Sequence, residues 1–146
     1  MKGNDSGRLD HLSGSISLDT GVLIEFFSES PLGGLIADKI FKNPDINKIF
    51  IHDYLITEIF YVFCRQKGKE VANTVVDDLI NVVTVVDVGS LRLIAGELKC
   101  QRSLSLADCY SCAVAIYKNC PIIFKREKEL IEEQNKRSFE FDLILV

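Results

Sequence analysis

Apolar residues along the chain fall into two rhythms. Short, nearly unbroken apolar or β-branched runs at 15–18, 49–52, 82–88, 121–124 and 141–146 read as buried strands. Between them lie longer stretches with helical spacing. Residues 22–27 begin a helix broken at Ser30-Pro31, and 35–41 read as a second one ended by Asn43-Pro44. Leu55, Ile59, Val62 and Phe63 share one helix face, with Asp53 as a plausible N-cap and Lys67-Gly68-Lys69 as the stop. Further helices are expected over 70–81, 89–102, 105–117 and 127–134. The order β-α-α-β-α-α-β-α-α-β-α-β argues an α/β fold with a mainly parallel five-stranded sheet flanked by helices on both faces. Ligands of such sheets sit beyond the carboxyl ends of the strands, near the point where strand order reverses.

Residues 1–14 break this texture. Their Gly, Ser, Asp and Asn content reads as a flexible leader, leaving 15–146 as one domain. The start has no apolar core of the signal-peptide kind, and no run reaches the roughly 18–20 apolar residues that cross a bilayer. A soluble, cytoplasmic protein without a membrane partner is the expectation.

Composition narrows the function. Apolar residues make up 47% and charged residues 26%, which excludes disorder and low-complexity chains. Seventeen basic against twenty-one acidic residues leave a net charge of −4, so holding nucleic acid by charge alone is disfavoured. An acidic surplus is compatible with carboxylates gathered around a metal ion.

Four acids stand where such a sheet keeps its site. Asp19 ends the first strand just before a helix, where it reads either as an N-cap or as a carboxylate aimed at the crevice. Glu58 lies on or beside the apolar stripe of its helix, although glutamate is rarely buried without a partner. Asp108 follows Ser105 by three residues, as in a capping box, on a helix kept small-sided by Ala107, Ser111, Ala113 and Ala115. Glu127 follows the 121–124 strand within a charge run that also reads as a solvated helix start.

Asp19-Thr20 after a first strand, Thr57-Glu58 after a second, the block Leu104-Ser105-Leu106-Ala107-Asp108 and a later acid together resemble the PIN domain, and most closely its VapC-type toxin ribonucleases. The similarity spans about residues 15–146. It implies a PIN-like three-layer fold and a metal-dependent endoribonuclease cutting single-stranded RNA, the toxin of a toxin–antitoxin pair. It implies catalytic acids at Asp19, Glu58 and Asp108, the hydroxyls of Thr20 and Ser105 near the metal, a protein antitoxin blocking the acidic cleft, and a homodimer. The family's fourth acid is commonly Asp in a T-x-D-x-D-F type of run. This chain reads Lys125-Arg126-Glu127-Lys128-Glu129-Leu130 instead, with Glu127 as the substitute.

Oxygen ligands of this kind suit Mg²⁺ or Mn²⁺, which bind through a few carboxylates and keep several waters. Asp19, Glu58 and Asp108 are therefore expected to converge, with Glu127 nearby. Lys99, Arg102, Lys125 and Arg126 are candidates for contacts to the RNA backbone, and solvated surface positions are their alternative.

The remaining chemistry-bearing residues give weaker patterns. Cys109-x-x-Cys112 looks like half a zinc site but falls mid-helix with no second pair, so the five cysteines read as buried free thiols. His11 and His52 have no sequence partner suggesting acid–base work. No glycine-rich phosphate loop or nucleophile elbow is present. Two other functions compete: a catalytically impaired PIN-like binding or scaffold module, and a small phosphatase-like enzyme. The latter lacks the usual D-x-D, since Asp19 is followed by Thr20-Gly21.

Overall fold

Alternation along the strands divides the core into two layers. In the computed structural model, which describes residues 5–146, five strands form one sheet: β1 (Gly14–Leu18), β2 (Ile46–His52), β3 (Thr84–Val86), β4 (Ile122–Phe124) and β5 (Leu143–Leu145). Their order is β3-β2-β1-β4-β5 and every pairing is parallel. Ile16, Leu18, Ile49, Ile51, Ile123 and Ile144 enter one apolar layer, while their neighbours Phe50, Ile122, Phe124, Leu143 and Leu145 enter the other. A strand covered on both faces must be apolar at consecutive positions, which explains the unbroken runs.

The first layer is closed by α1 (Thr20–Phe27), α2 (Pro31–Ile36), α3 (Asp53–Lys67) and α4 (Lys69–Val82). The second is closed by α5 (Val88–Gln101), α6 (Leu106–Lys118) and α7 (Lys128–Lys136). The result is the three-layer α/β fold expected from the pattern, with each strand found where a run stood.

Boundaries differ where caps decide them. Ser30-Pro31 starts a helix rather than merely breaking one: Ser30 Oγ accepts from Gly33 N–H at 3.0 Å and Pro31 occupies the first turn, where its missing N–H costs nothing. The helix then widens into a π turn over Ala37–Phe41, closed by Lys42 N–H to Ala37 O. Gly33 is required at this corner, because a Cβ there would stand 2.0 Å from the Glu25 carbonyl oxygen. The α3 cap is His52, not Asp53: the Nδ1 atom of His52 accepts from Leu55 N–H at 3.2 Å. The run 82–88 contracts to the three residues of β3, since Val82 completes α4 and Asp87 stands at the α5 N-terminus.

The expected leader is also corrected over its described part. Asp5–His11 form a 3₁₀ turn, Leu9 is fully buried, and Arg8 donates to the Leu143 carbonyl and to both oxygens of Asp142. Gly14 already belongs to β1. Spacing hid this because Leu9 and Leu12, two leucines among polar residues, are too few to set a period; residues 1–4 lie outside those described. Among the described residues, no helix is long and apolar enough to cross a membrane.

Candidate active site

Strand order reverses between β1 and β4, its neighbour on the side away from β2. The backbone N–H of Asp19 donates to Ile123 O of β4 at 3.1 Å, so Asp19 sits at that reversal, beyond the carboxyl end of the central strand. Asp19 caps α1 and also lines the cleft. Its Oδ2 accepts from Gly21 N–H at 3.4 Å as the α1 cap, while its Oδ1 accepts from Ser111 Oγ at 2.7 Å within the protein.

The other acids arrive from three further segments. Glu58 lies on α3 one turn past its start, half-buried, and its Oε1 accepts from Thr20 Oγ1 at 3.2 Å. Asp108 lies in the first turn of α6, whose N-cap is Ser105: Ser105 Oγ accepts from Asp108 N–H at 3.1 Å. The capping arrangement is therefore real, and Ser105 rather than the acid does the capping. Glu127 stands at the N-terminus of α7 with no side-chain capping bond, which leaves its carboxylate available. All four acids line one cavity of about 500 Å³, together with Thr20, Ser105, Tyr61 and Glu129. Glu127 thus stands at a partly exposed helix start and also lines the cleft. Glu129 is an additional acid that spacing did not single out.

Shared burial and mutual charge act on the whole set. Burial pushes the Asp19 carboxyl up to about 7; the Ser111 and Gly21 hydrogen bonds oppose this, and the charges of Asp108 and Glu127 add to it. Burial also raises Glu58, with Thr20 opposing and Asp108 adding. Asp108 is raised by burial, against its Ser105 hydrogen bond and with the Glu129 charge. Glu127 is raised by burial and then by Asp108, Glu129 and Glu58, against Lys125. Asp108 influences each of the other three and is the electrostatic hub.

Among the described residues, no three or more His, Cys, Asp or Glu side chains are drawn together as a finished shell for a metal ion. The oxygen-only donor set fits a hydrated Mg²⁺ or Mn²⁺ nonetheless, because such ions bind through one or two carboxylates and retain waters.

The four cationic candidates separate. Arg102 is buried: its guanidinium donates to the carbonyls of Glu133, Arg137 and Ser138 and lies 4.2 Å from the centre of the Phe139 ring. It pins the end of α5 to the end of α7, which removes it as an RNA contact. Lys99 Nζ donates to Leu104 O at 2.6 Å, bracing the turn before α6. Lys125 pairs with Glu25 at 2.5 Å, and its Cβ lies 3.3 Å from where a Gly21 Cβ would stand, so it borders the site. Arg126 donates its backbone N–H to Val146 O at 2.8 Å.

The thiols are free, but not uniformly buried as expected. Cys109, Cys112 and Cys120 are buried, Cys64 is intermediate and Cys100 is exposed. His52, given no role by sequence, is fully buried, with its Nε2 3.1 Å from Ser111 Oγ. That pairing spans 59 residues, and no local spacing signals it.

The family model described as PIN domain matches residues 16–134. No curated protein sequence matches the chain. Among solved structures, VapBC2 from Rickettsia felis, bound to a DNA fragment from its promoter, aligns with a TM-score of 0.70 at 17% identity, covering 90% of this chain and 98% of that one. VapBC-1 from nontypeable Haemophilus influenzae aligns with a TM-score of 0.65 at 19% identity, covering 90% and 96%. VapC20 from Mycobacterium tuberculosis, a toxin that cleaves the sarcin-ricin loop, aligns with a TM-score of 0.61 at 20% identity, covering 73% and 86%. At these identities the likeness to solved structures is one of fold.

Proposed function

Because the chain belongs to the PIN domain family, we propose that it is a metal-dependent endoribonuclease of single-stranded RNA and the toxin of a toxin–antitoxin pair. One observation carries this reading: four acids from four segments line a single cavity at the strand-order reversal. Structural carboxylates have no reason to share a cleft where burial and like charge raise their proton affinity.

Asp19, Glu58 and Asp108 would hold the ion, with Glu127 as the fourth acid. A bound Mg²⁺ or Mn²⁺ supplies neutralisation of the site and acidifies a water for attack at phosphorus. The chain's own residues set the rest. Thr20 orients Glu58 through its hydroxyl, and Ser105 fixes the helix start that presents Asp108. Lys125, which borders the site and lowers the proton affinity of Glu127, is the cation best placed to meet an RNA phosphate. Lys99 and Arg126 remain further candidates.

The proposed partners are a protein antitoxin and a second copy of the chain, in the cytoplasm. The solved relatives named VapBC support the antitoxin. The toxin described as cleaving the sarcin-ricin loop supports RNA as the substrate. Purified protein should cut a mixed single-stranded RNA with Mn²⁺ and stop with EDTA. Binding of RNA without any cutting under those conditions would favour the impaired, scaffold-like module instead.

A further inference from the structure

Strand parity delivers two polar side chains to one face of the sheet. Ile16 and Leu18 enter the layer under α1, α3 and α4, so Ser17 and Asp19 turn toward α6. In β2, Ile49 and Ile51 enter that same layer and Phe50 the opposite one, so His52 turns toward α6 as well. Ser17 pairs with Phe50, and two residues further along each chain Asp19 and His52 both reach the same side chain of α6, Ser111. Ser111 of α6, fully buried, occupies the space above both.

The hydrogen bonds around Ser111 have a direction. His52 Nδ1 accepts from Leu55 N–H, so that nitrogen carries no proton and the neutral ring keeps its proton on Nε2. Burial holds the imidazole neutral, with its pKa pushed down to about 4. Nε2–H must then donate to Ser111 Oγ across 3.1 Å, which leaves the single hydroxyl proton of Ser111 for Asp19 Oδ1 at 2.7 Å. The chain runs from Leu55 N–H through His52 and Ser111 to Asp19. With Oδ1 held by Ser111 and Oδ2 by Gly21 N–H, the rotation of the Asp19 carboxylate is fixed.

We propose that His52 and Ser111 are positioning residues, a hydrogen-bond relay anchored in the first turn of α3 that sets the Asp19 carboxylate for a divalent cation. The proposal rests on the reading of the acidic cavity as a metal-dependent nuclease site. The anchor matters because α3 also carries Glu58 one turn later, so one helix start fixes two of the acids. Groups that orient a metal ligand typically change affinity or activity by about 10–100-fold when removed.

His52 has two hydrogen bonds, and two substitutions separate them. His52→Asn keeps an oxygen for Leu55 N–H, as asparagine caps helices well, but places nothing at Nε2. His52→Gln reaches the Nε2 position with its amide N–H and gives up the cap. Ser111→Ala removes the donor to Asp19. The readouts are the Mn²⁺ dissociation constant by calorimetry, kcat and KM on single-stranded RNA, and the melting temperature in EDTA. The relay predicts that Ser111→Ala and His52→Asn weaken Mn²⁺ binding and lower kcat by about 10–100-fold with KM little changed. It predicts that His52→Gln recovers most of that loss although it melts lower than His52→Asn. If Mn²⁺ affinity and kcat instead follow the melting temperature, with His52→Asn like the parent and His52→Gln impaired, His52 is only a cap and the relay is overturned. A parent protein that neither binds Mn²⁺ nor cuts RNA overturns the nuclease reading itself, and the relay with it.

Discussion

Thr20 Oγ1 donates to Glu58 Oε1 across 3.2 Å, joining the first residue of α1 to α3. The two are 38 positions apart in sequence, yet Thr20 is buried and Glu58 half-buried against it. This contact holds a charged group at the cavity wall that would otherwise swing toward solvent. It also opposes the rise in proton affinity that burial imposes on Glu58.

Removing that hydroxyl while keeping the shape should therefore cost the site more than the fold. Thr20→Val is expected to lower stability in EDTA by only about 1 kcal/mol, the usual net worth of one hydrogen bond. Mn²⁺ affinity and cleavage should fall by about tenfold or more, as for other groups that orient a ligand. Melting and calorimetry on the same preparation check this, and a variant with parental Mn²⁺ affinity would show that Glu58 needs no such guide.

Arg102 gives the opposite expectation. With three backbone carbonyls and the Phe139 ring as partners, Arg102→Met should destabilise by about 3 kcal/mol in urea unfolding, because buried acceptors lose a charged donor. RNA binding by the fraction that remains folded should keep its salt dependence. A parental unfolding midpoint combined with weakened RNA binding would return Arg102 to the surface role its sequence context suggested.

The fold was legible because strands buried on both faces announce themselves as unbroken apolar runs, while their connections carry helical spacing. Asp19 was legible from its place at the end of such a run, and Glu58 from being a charge on an apolar stripe. The residues around these acids were not. Ser111 lies 92 positions from Asp19 and His52 lies 59 from Ser111, so only the packing of α6 over β1 and β2 brings them together. Arg102 and Glu127 show the same limit from either side: each stands among ordinary surface-like neighbours in sequence, yet one is a buried strut and the other lines the cavity.

Burial of His52 carries a pH signature. Its folded pKa, pushed down to about 4, lies below the unfolded value of about 6.5, so the unfolded chain binds the proton first as pH falls. The stabilising contribution is complete above about pH 6.5 and drains away as pH drops toward 4. In EDTA, the parent should lose more melting temperature between pH 7.5 and 4.5 than His52→Asn, which keeps the acidic cavity and lacks only the imidazole. Equal losses would mean that the imidazole is not held neutral by the interior.

The thiols should react in order of exposure. Under native conditions iodoacetamide should modify Cys100 first and Cys112 last, since burial pushes the Cys112 thiol far up and shields it. Mass spectrometry over time reads the order. Rapid modification of Cys109 and Cys112, or stoichiometric zinc whose removal unfolds the protein, would contradict their place in the apolar layer.

Asp108 is the hub of the acidic cavity, so metal-dependent cleavage there stands or falls on comparing the parent with Asp108→Asn in melts run with EDTA and with Mn²⁺ beside an RNA cleavage assay. Without metal, the variant should be no less stable than the parent, because burial and the Glu129 charge disfavour the ionised carboxylate and asparagine relieves both. With Mn²⁺ the order should reverse: the parent gains about 2.7 kcal/mol at a hundredfold excess over its dissociation constant, while the variant gains much less and its cleavage collapses. Equal Mn²⁺ shifts and equal cleavage in the two proteins, or neither response in the parent, would contradict the assignment of this cavity as a metal-dependent nuclease site.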